Sequence, residues 1–338
     1  MTNDAENPLA AVRRDLLVAH AHAAIRRGSK SFAAASRLFD KTTRERVWLL
    51  YAWCRACDDL ADAQDMGGAL GDQSGAEERL ATIRRRTAQA FAGEPSGDPA
   101  FDALGLVARE TGLTPAMADD VIAGFALDAA DWRPDTEADL LRYCYHVAGA
   151  VGVMMAVVMG ITPDDEDTLD RACDLGLAFQ LANITRDLAE DHAAGRCYLP
   201  ARWLAEGGIA PASLLAPEHR PAVAALVARL GAAEAAYEAS ARVGAARLAF
   251  RQRWAVLCAA GIYGAIAREA ERRGAGTLDA RITTTRGAKL GFVARGLWRA
   301  LTPPPSAPRP ALSRRELAAL ARADSHVRSA EPPACSGA

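Results

Sequence analysis

Lysine is nearly missing from this 338-residue chain: Lys30, Lys41 and Lys289 are the only three among forty basic residues, the rest being arginine. That bias carries no functional weight by itself. A charge excess of either sign is also lacking, because forty basic residues face forty-two acidic ones for a net charge of −2. Without a basic excess a nucleic-acid partner is not expected. Cysteine is sparse and unpatterned, at 54, 57, 144, 173, 197, 258 and 335. An odd, irregular set argues for reduced thiols in a cytosol rather than a disulfide framework. Cys54 and Cys57 form a CxxC, but no second pair or suitably spaced histidine accompanies it, so they read as two helix cysteines. Of six histidines only His20 and His22 are close in sequence, and residues two apart do not share a helix face. The Glu-x-x-His of a di-iron bundle is absent, as are GxxxxGK[ST] and a GxGxxG after a strand. No apolar signal region and no acid-poor transit segment opens the chain, which points to a cytoplasmic location. The most apolar stretch, Val147–Thr162, is uncharged for sixteen residues. A bilayer-spanning helix needs about 20. Its small residues Ala148, Gly149, Ala150 and Gly152 suit close helix packing, so it reads as a central core helix.

What is present is helical almost throughout. Half of the residues are apolar and 24% are charged, an ordinary globular mix. The length allows two domains or one helical domain of roughly 250–300 residues. Turn signals fall every 15–30 residues, and the spacing predicts helices over 8–28, 42–63, 76–93, 99–112, 115–131, 136–160, 165–194, 219–247, 254–273 and 290–301. Thr136 with Asp139 three residues on, and Thr114 before Pro115, have the form of helix starts. From Pro303 the chain turns proline-rich and polar, and 303–338 is expected to be a disordered tail whose removal leaves the fold intact. Within it Ser313–Ala323 has the pattern of a short basic amphipathic helix, a candidate for membrane contact.

Chemistry gathers at two aspartate pairs. Asp58 and Asp62 lie four apart, and Asp187 and Asp191 repeat the spacing. Residues i and i+4 share a helix face, so each pair directs two carboxylates at one place, and their like charges need compensation. A hard divalent ion is the natural compensator, since Mg²⁺ takes a few carboxylates and keeps sites for water and phosphate. The stripes extend through Tyr51 and Arg55 on one helix and through Gln180 and Asn183 on the other. An isolated aspartate pair is ordinarily solvated surface. Two pairs in polar stripes embedded among Trp48, Leu49, Leu50, Leu181 and Ile184 point instead to facing metal sites for a diphosphate.

The segments GSKSFAAASRLFD (28–40), YAWCRACDDLAD (51–62), YCYHVAGAVG (143–152) and QLANITRDLAEDHAAGRCYLP (180–200) resemble the squalene/phytoene synthase family, its bacterial phytoene-forming members in particular. The resemblance reaches to about residue 300. It implies an all-α isoprenoid synthase bundle over 1–302 around a central apolar cavity, with the acidic motifs on opposite walls. It further implies that about three Mg²⁺ or Mn²⁺ ions on Asp58, Asp62, Asn183, Asp187 and Asp191 assist departure of diphosphate. Two geranylgeranyl diphosphates would join head to head through a cyclopropylcarbinyl diphosphate, with no NADPH. By motif match Ser29, Ser31 and Phe32 line the first diphosphate region beside Tyr51 and Arg55. Gln180 supports the second motif, Arg186 contacts diphosphate, and Tyr143 faces the cavity. Tyr263 is expected near the reacting centre, and Arg281 with Lys289 forms a basic pair closing over phosphate. Plain alternatives stand beside these: Tyr263 and Phe32 as core aromatics, Arg281 as a surface arginine. Asp59 falls off the metal stripe, and the match around Asp128 is loose.

The resemblance also implies peripheral contact with the inner membrane surface, where the greasy substrate resides, and leaves room for association with other carotenoid enzymes. Two other functions stay in view: a squalene- or dehydrosqualene-type synthase using farnesyl diphosphate, and a non-catalytic helical lipid-binding or assembly homologue.

Overall fold

A computed structural model of the chain describes residues 8–66, 71–72, 74–283, 285–304, 306–310 and 312–320. Among them there is no strand. The helices are α1 (Pro8–Gly28), α2 (Lys30–Ala35), α3 (Lys41–Ala61), α4 (Ala76–Ala92), α5 (Pro99–Glu110), α6 (Pro115–Ala129), α7 (Glu137–Cys144), α8 (Ala150–Val158), α9 (Glu166–Ala193), α10 (Ala201–Glu206), α11 (Arg220–Ala245), α12 (Phe250–Arg273) and α13 (Arg286–Leu301). The expected helices are present with ends moved by a few residues, most of all at α12 and α13, which begin four residues earlier than the sequence suggests. The short α2 and α10 were not anticipated. Ser29 starts α2 by accepting the Phe32 amide, and Pro200 leads into α10.

Caps set several boundaries. Thr136 and Asp139 form a reciprocal capping box at α7, and Thr114 accepts from the Met117 amide at α6. Among the described residues one helix, Glu137–Val158, is long and apolar enough to cross a bilayer by composition, but 72% of its most apolar 18-residue window is buried in the bundle, so it is a core helix. A π turn at Tyr145–Gly149 interrupts it. Gly152 and Gly176 let it lie directly on α9: a Cβ on Gly176 would meet the Ala148 carbonyl at 2.3 Å, and one on Gly152 the Ala172 carbonyl at 2.5 Å. The main core runs through Trp53, Phe101, Leu140, Met154 and Leu177, each fully buried. Cys54 and Cys57 carry free thiols, and burial pushes Cys54 up to about 12.

The expectation of a free tail from 303 is corrected over its described part. Arg309 forks onto Asp174 of α9 with two bonds of 3.1 Å and reaches Asp170 at 2.7 Å. Arg314 pairs with Glu166 and Asp170, Arg315 pairs with Glu166, and Leu317 is 1% exposed. Residues 314–320 are helical and lie against the bundle. Composition missed this because the partners sit some 140 residues earlier. In the amphipathic stretch expected at Ser313–Ala323, Leu317 and Ala318 therefore face protein while Leu320 stays exposed; 321–338 lie outside the described residues.

Candidate active site

Two walls hold the acidic motifs, and one arginine ties them together. Asp58 rides the last turn of α3, and Asp62 is its C-cap rather than a helical residue; its amide still donates to the Asp58 carbonyl, keeping both on one side. Asp187 and Asp191 lie near the end of α9. After that helix the amide of Arg196 donates to the Asp191 carbonyl at 2.8 Å, while its guanidinium donates to Asp62 at 3.2 Å. Asp58, Asp62, Asp128 and Arg196 line a cavity of about 40 Å³, with Leu80 and Phe125 among its apolar walls.

Arginines meet much of this negative charge. Arg55 lies 2.9 Å from Asp58 and 3.4 Å from Asp59. Asp187 accepts from its neighbour Arg186 and from Arg281 at 3.0 Å. Asp191 has no ion pair among the described residues. Burial and then the repulsion of Asp187 raise its carboxyl to about 7. Burial raises Asp58 to about 6, with Arg55 opposing. Such sites gain when a further positive charge arrives, since a cation relieves both repulsion and desolvation. Among the described residues no three His, Cys, Asp or Glu side chains already converge as a metal cluster. The donors are nonetheless all oxygen, the set that suits Mg²⁺ or Mn²⁺.

The structure places most expected residues here. Asn183 donates to Gln180 at 3.3 Å, and its spacing of four from Asp187 sets it on the helix face that carries Asp187 and Asp191. Phe32 meets Tyr51 edge-on at 5.7 Å. The Tyr51 hydroxyl and Arg55 Nε are buried without a hydrogen-bond partner, two donors suited to an anion. Gly28 makes room for that hydroxyl, since a Cβ would stand 2.4 Å from it. Ser29 is turned to capping α2. Tyr263 stacks on Phe179 at 4.0 Å, and Arg186 and Asp187 lie near enough to act on its hydroxyl. Arg281 reaches the site although half exposed. The side chains of Ser31 and Lys289 lie outside the described residues.

Asp128, Trp132, Arg196 and Tyr198 had no role assigned from the sequence. Asp128 is buried and raised to about 6, chiefly by desolvation, with Arg196 opposing. Tyr143 and Tyr198 donate to it at 3.2 and 3.4 Å and stack on each other at 4.7 Å, with Trp132 stacked beyond Tyr143. Arg196 and Tyr198 stand in the GRCYLP stretch, so the signal was present without a partner to interpret it.

The chain resembles known proteins along most of its length. The squalene/phytoene synthase family model matches residues 25–288. A phytoene synthase of Pseudescherichia vulneris is 47% identical over 279 residues, covering 82% of this chain and 90% of the relative. A 15-cis-phytoene synthase of Pantoea ananas is 45% identical, covering 85% and 93%. Among solved structures, a dehydrosqualene synthase in complex with ligand superposes with a TM-score of 0.74 at 26% identity, covering 84% of this chain and 96% of that one.

Proposed function

The chain belongs to the squalene/phytoene synthase family, and within it we propose that it acts as a phytoene synthase, a prenyltransferase joining two geranylgeranyl diphosphates head to head. The observation that carries this reading is Arg196, whose backbone and side chain bind the two acidic motifs at once. Identity of 44–47% to four bacterial phytoene synthases favours the long-chain reaction over the farnesyl alternative.

Asp58, Asp62, Asp187, Asp191 and Asn183 would hold divalent Mg²⁺ or Mn²⁺, which when bound neutralises charge developing on the diphosphate leaving group. The chain's own cations share that task. Arg55, Arg186 and Arg281 already point at these carboxylates and can turn to phosphate oxygens, with the Tyr51 hydroxyl as an additional donor. Only the outer faces of the two stacks, Trp132–Tyr143–Tyr198 and Phe179–Tyr263, could offer negative π density to an allylic cation, since the inner faces are taken up by one another. The cation is captured by the double bond of the second substrate, and loss of a first proton closes a cyclopropylcarbinyl diphosphate; a second ionisation, rearrangement and loss of a second proton then give the C40 hydrocarbon, with two diphosphates released in all. Substrate tails and product are greasy, which favours work at a bilayer surface.

Incubating purified protein with metal and either geranylgeranyl or farnesyl diphosphate, followed by mass spectrometry, tests the reading. Phytoene from the longer substrate, unchanged in rate by NADPH, is expected. Squalene formation that requires NADPH, or exclusive use of farnesyl diphosphate, would overturn it.

A further inference from the structure

Backbone strain in this chain gathers at the rim of the acidic cavity. Among the described residues three non-glycines take a positive φ: Ala63 at 50°, Met66 at 52° and Asp131 at 47°. Ala63 and Met66 follow closely on Asp62, and Asp131 on Asp128, and both of those carboxylates line the cavity. Such conformations persist only where the surroundings over-determine them, and they collect at functional sites. Asp131 opens the connection from α6 to α7. Its amide and that of Trp132 donate to the Asp128 and Leu127 carbonyls at 3.1 Å each, and Trp132 then stacks on Tyr143.

The same connection grips the segment that carries Arg196 and Tyr198. Beyond the far end of that segment, the Pro134 carbonyl accepts from the Ala201 amide at 2.9 Å and the Asp135 carbonyl from the Arg202 amide at 3.1 Å. At its near end Arg133 donates to the Gly195 carbonyl at 3.1 Å. That carbonyl and the Arg196 amide are the two ends of one planar peptide unit. Arg133 holds the oxygen end, and the Asp191 carbonyl accepts from the N–H end at 2.8 Å. Gly195 stands at a φ of 75°, and a glycine leaves the peptide after it free to turn unless something holds it. The plane from which Arg196 reaches Asp62 is therefore pinned from two sides, by α9 and by Arg133. The Arg133 side chain is 47% exposed and belongs to no core cluster, so replacing it leaves the packing of the bundle intact.

We propose that Arg133 is a positioning residue: through the Gly195–Arg196 peptide it sets the arginine that bridges the two acidic motifs. It deepens the phytoene synthase reading and rests on that reading for its effect on rate. The test compares wild type with Arg133→Ala, Arg133→Lys and Arg196→Lys, and with Arg133→Ala combined with Arg196→Lys. Two quantities are read: turnover of geranylgeranyl diphosphate, and hydrogen exchange of the peptide holding the Arg196 amide. Arg133→Ala should lower kcat by at least about 3-fold and speed that exchange by a similar factor, the scale of one lost hydrogen bond. Arg133→Lys keeps a donor for the carbonyl and should recover part of both, and the thermal midpoint should hold in each. In the Arg196→Lys background the loss from Arg133→Ala should shrink or vanish, because residues acting along one path do not add. A wild-type kcat or unchanged exchange in Arg133→Ala, or a loss that adds in full to that of Arg196→Lys, would overturn the proposal. Absence of turnover by wild type would overturn the catalytic reading, while exchange at Arg196 still judges the contact, so the two failures are distinguishable.

Discussion

Helix α9 carries the same motif twice, an aspartate followed by another four residues on, and the two ends use it differently. At Asp170 and Asp174 the chain supplies its own counter-charge: Arg309 and Arg314 fork onto the pair, and Ser240 donates to Asp174 at 2.6 Å. At Asp187 and Asp191 the supply is incomplete, with arginines on the first and, among the described residues, no ion pair on the second. Both environments bury carboxylate, and burial raises both Asp174 and Asp191. The lesson is that spacing aims two carboxylates but does not decide their use. A pair becomes structural when the fold closes a guanidinium over it, and receptive when the fold leaves charge unmet.

The largest test of this contrast is catalytic. Asp191→Asn and Asp58→Asn should each lower turnover by at least about 10²-fold, the scale of losing a key electrostatic group, while helix content by circular dichroism holds. Chelation should abolish activity, and Mg²⁺ or Mn²⁺ should restore it. Wild-type rates in either variant would erase the distinction between the two ends.

The opposite signature belongs to the other end. Arg309→Ala leaves Asp174 buried with its main partner gone, and urea unfolding should report a loss of about 3 kcal/mol, with turnover per folded molecule nearly unchanged. Ending the chain after residue 302 should cost at least as much, whereas ending it after 320 should spare the strap. An unshifted unfolding midpoint for Arg309→Ala would show that the strap does not stabilise.

A third test uses pH. Asp58 and Asp128 hold protons to about 6 and Asp191 to about 7, against 3.8 for an ordinary aspartate. Between those values the folded chain binds protons that the unfolded chain has released. Stability in the presence of a chelator should therefore fall as pH rises from about 4 to about 7. Asp191→Asn should flatten the upper part of that slope, and an unchanged slope would count against a raised Asp191. The smallest effect is expected for Ser240→Ala, about 1 kcal/mol, because Arg309 still covers Asp174.

Much of this was legible from local pattern. Helix spans followed from apolar spacing and from caps such as Thr136–Asp139, and the two functional pairs stood out because Gln180 and Asn183 continued the polar stripe. Asp174 was overlooked although Glu166 and Asp170 precede it at steps of four, because a stripe of acids alone has the form of solvated surface. Arg309 was read as tail because proline-rich composition says nothing of a partner 135 residues away. The same distance problem hid Arg196, whose target Asp62 lies 134 residues earlier. Local periodicity reports which way a side chain faces; it cannot report who arrives from elsewhere.

The strap also has a meaning in time. Synthesis runs from the amino end, so Asp174 emerges well before the guanidinium that covers it. At roughly 5–20 residues per second, the 135-residue interval amounts to roughly 7–27 s. Until then Asp174 lacks its guanidinium partner, and once α11 has been made Ser240 is the donor that meets it. A nascent chain halted before Arg309 would carry that defect permanently, so completion of translation is coupled to consolidation of the catalytic helix.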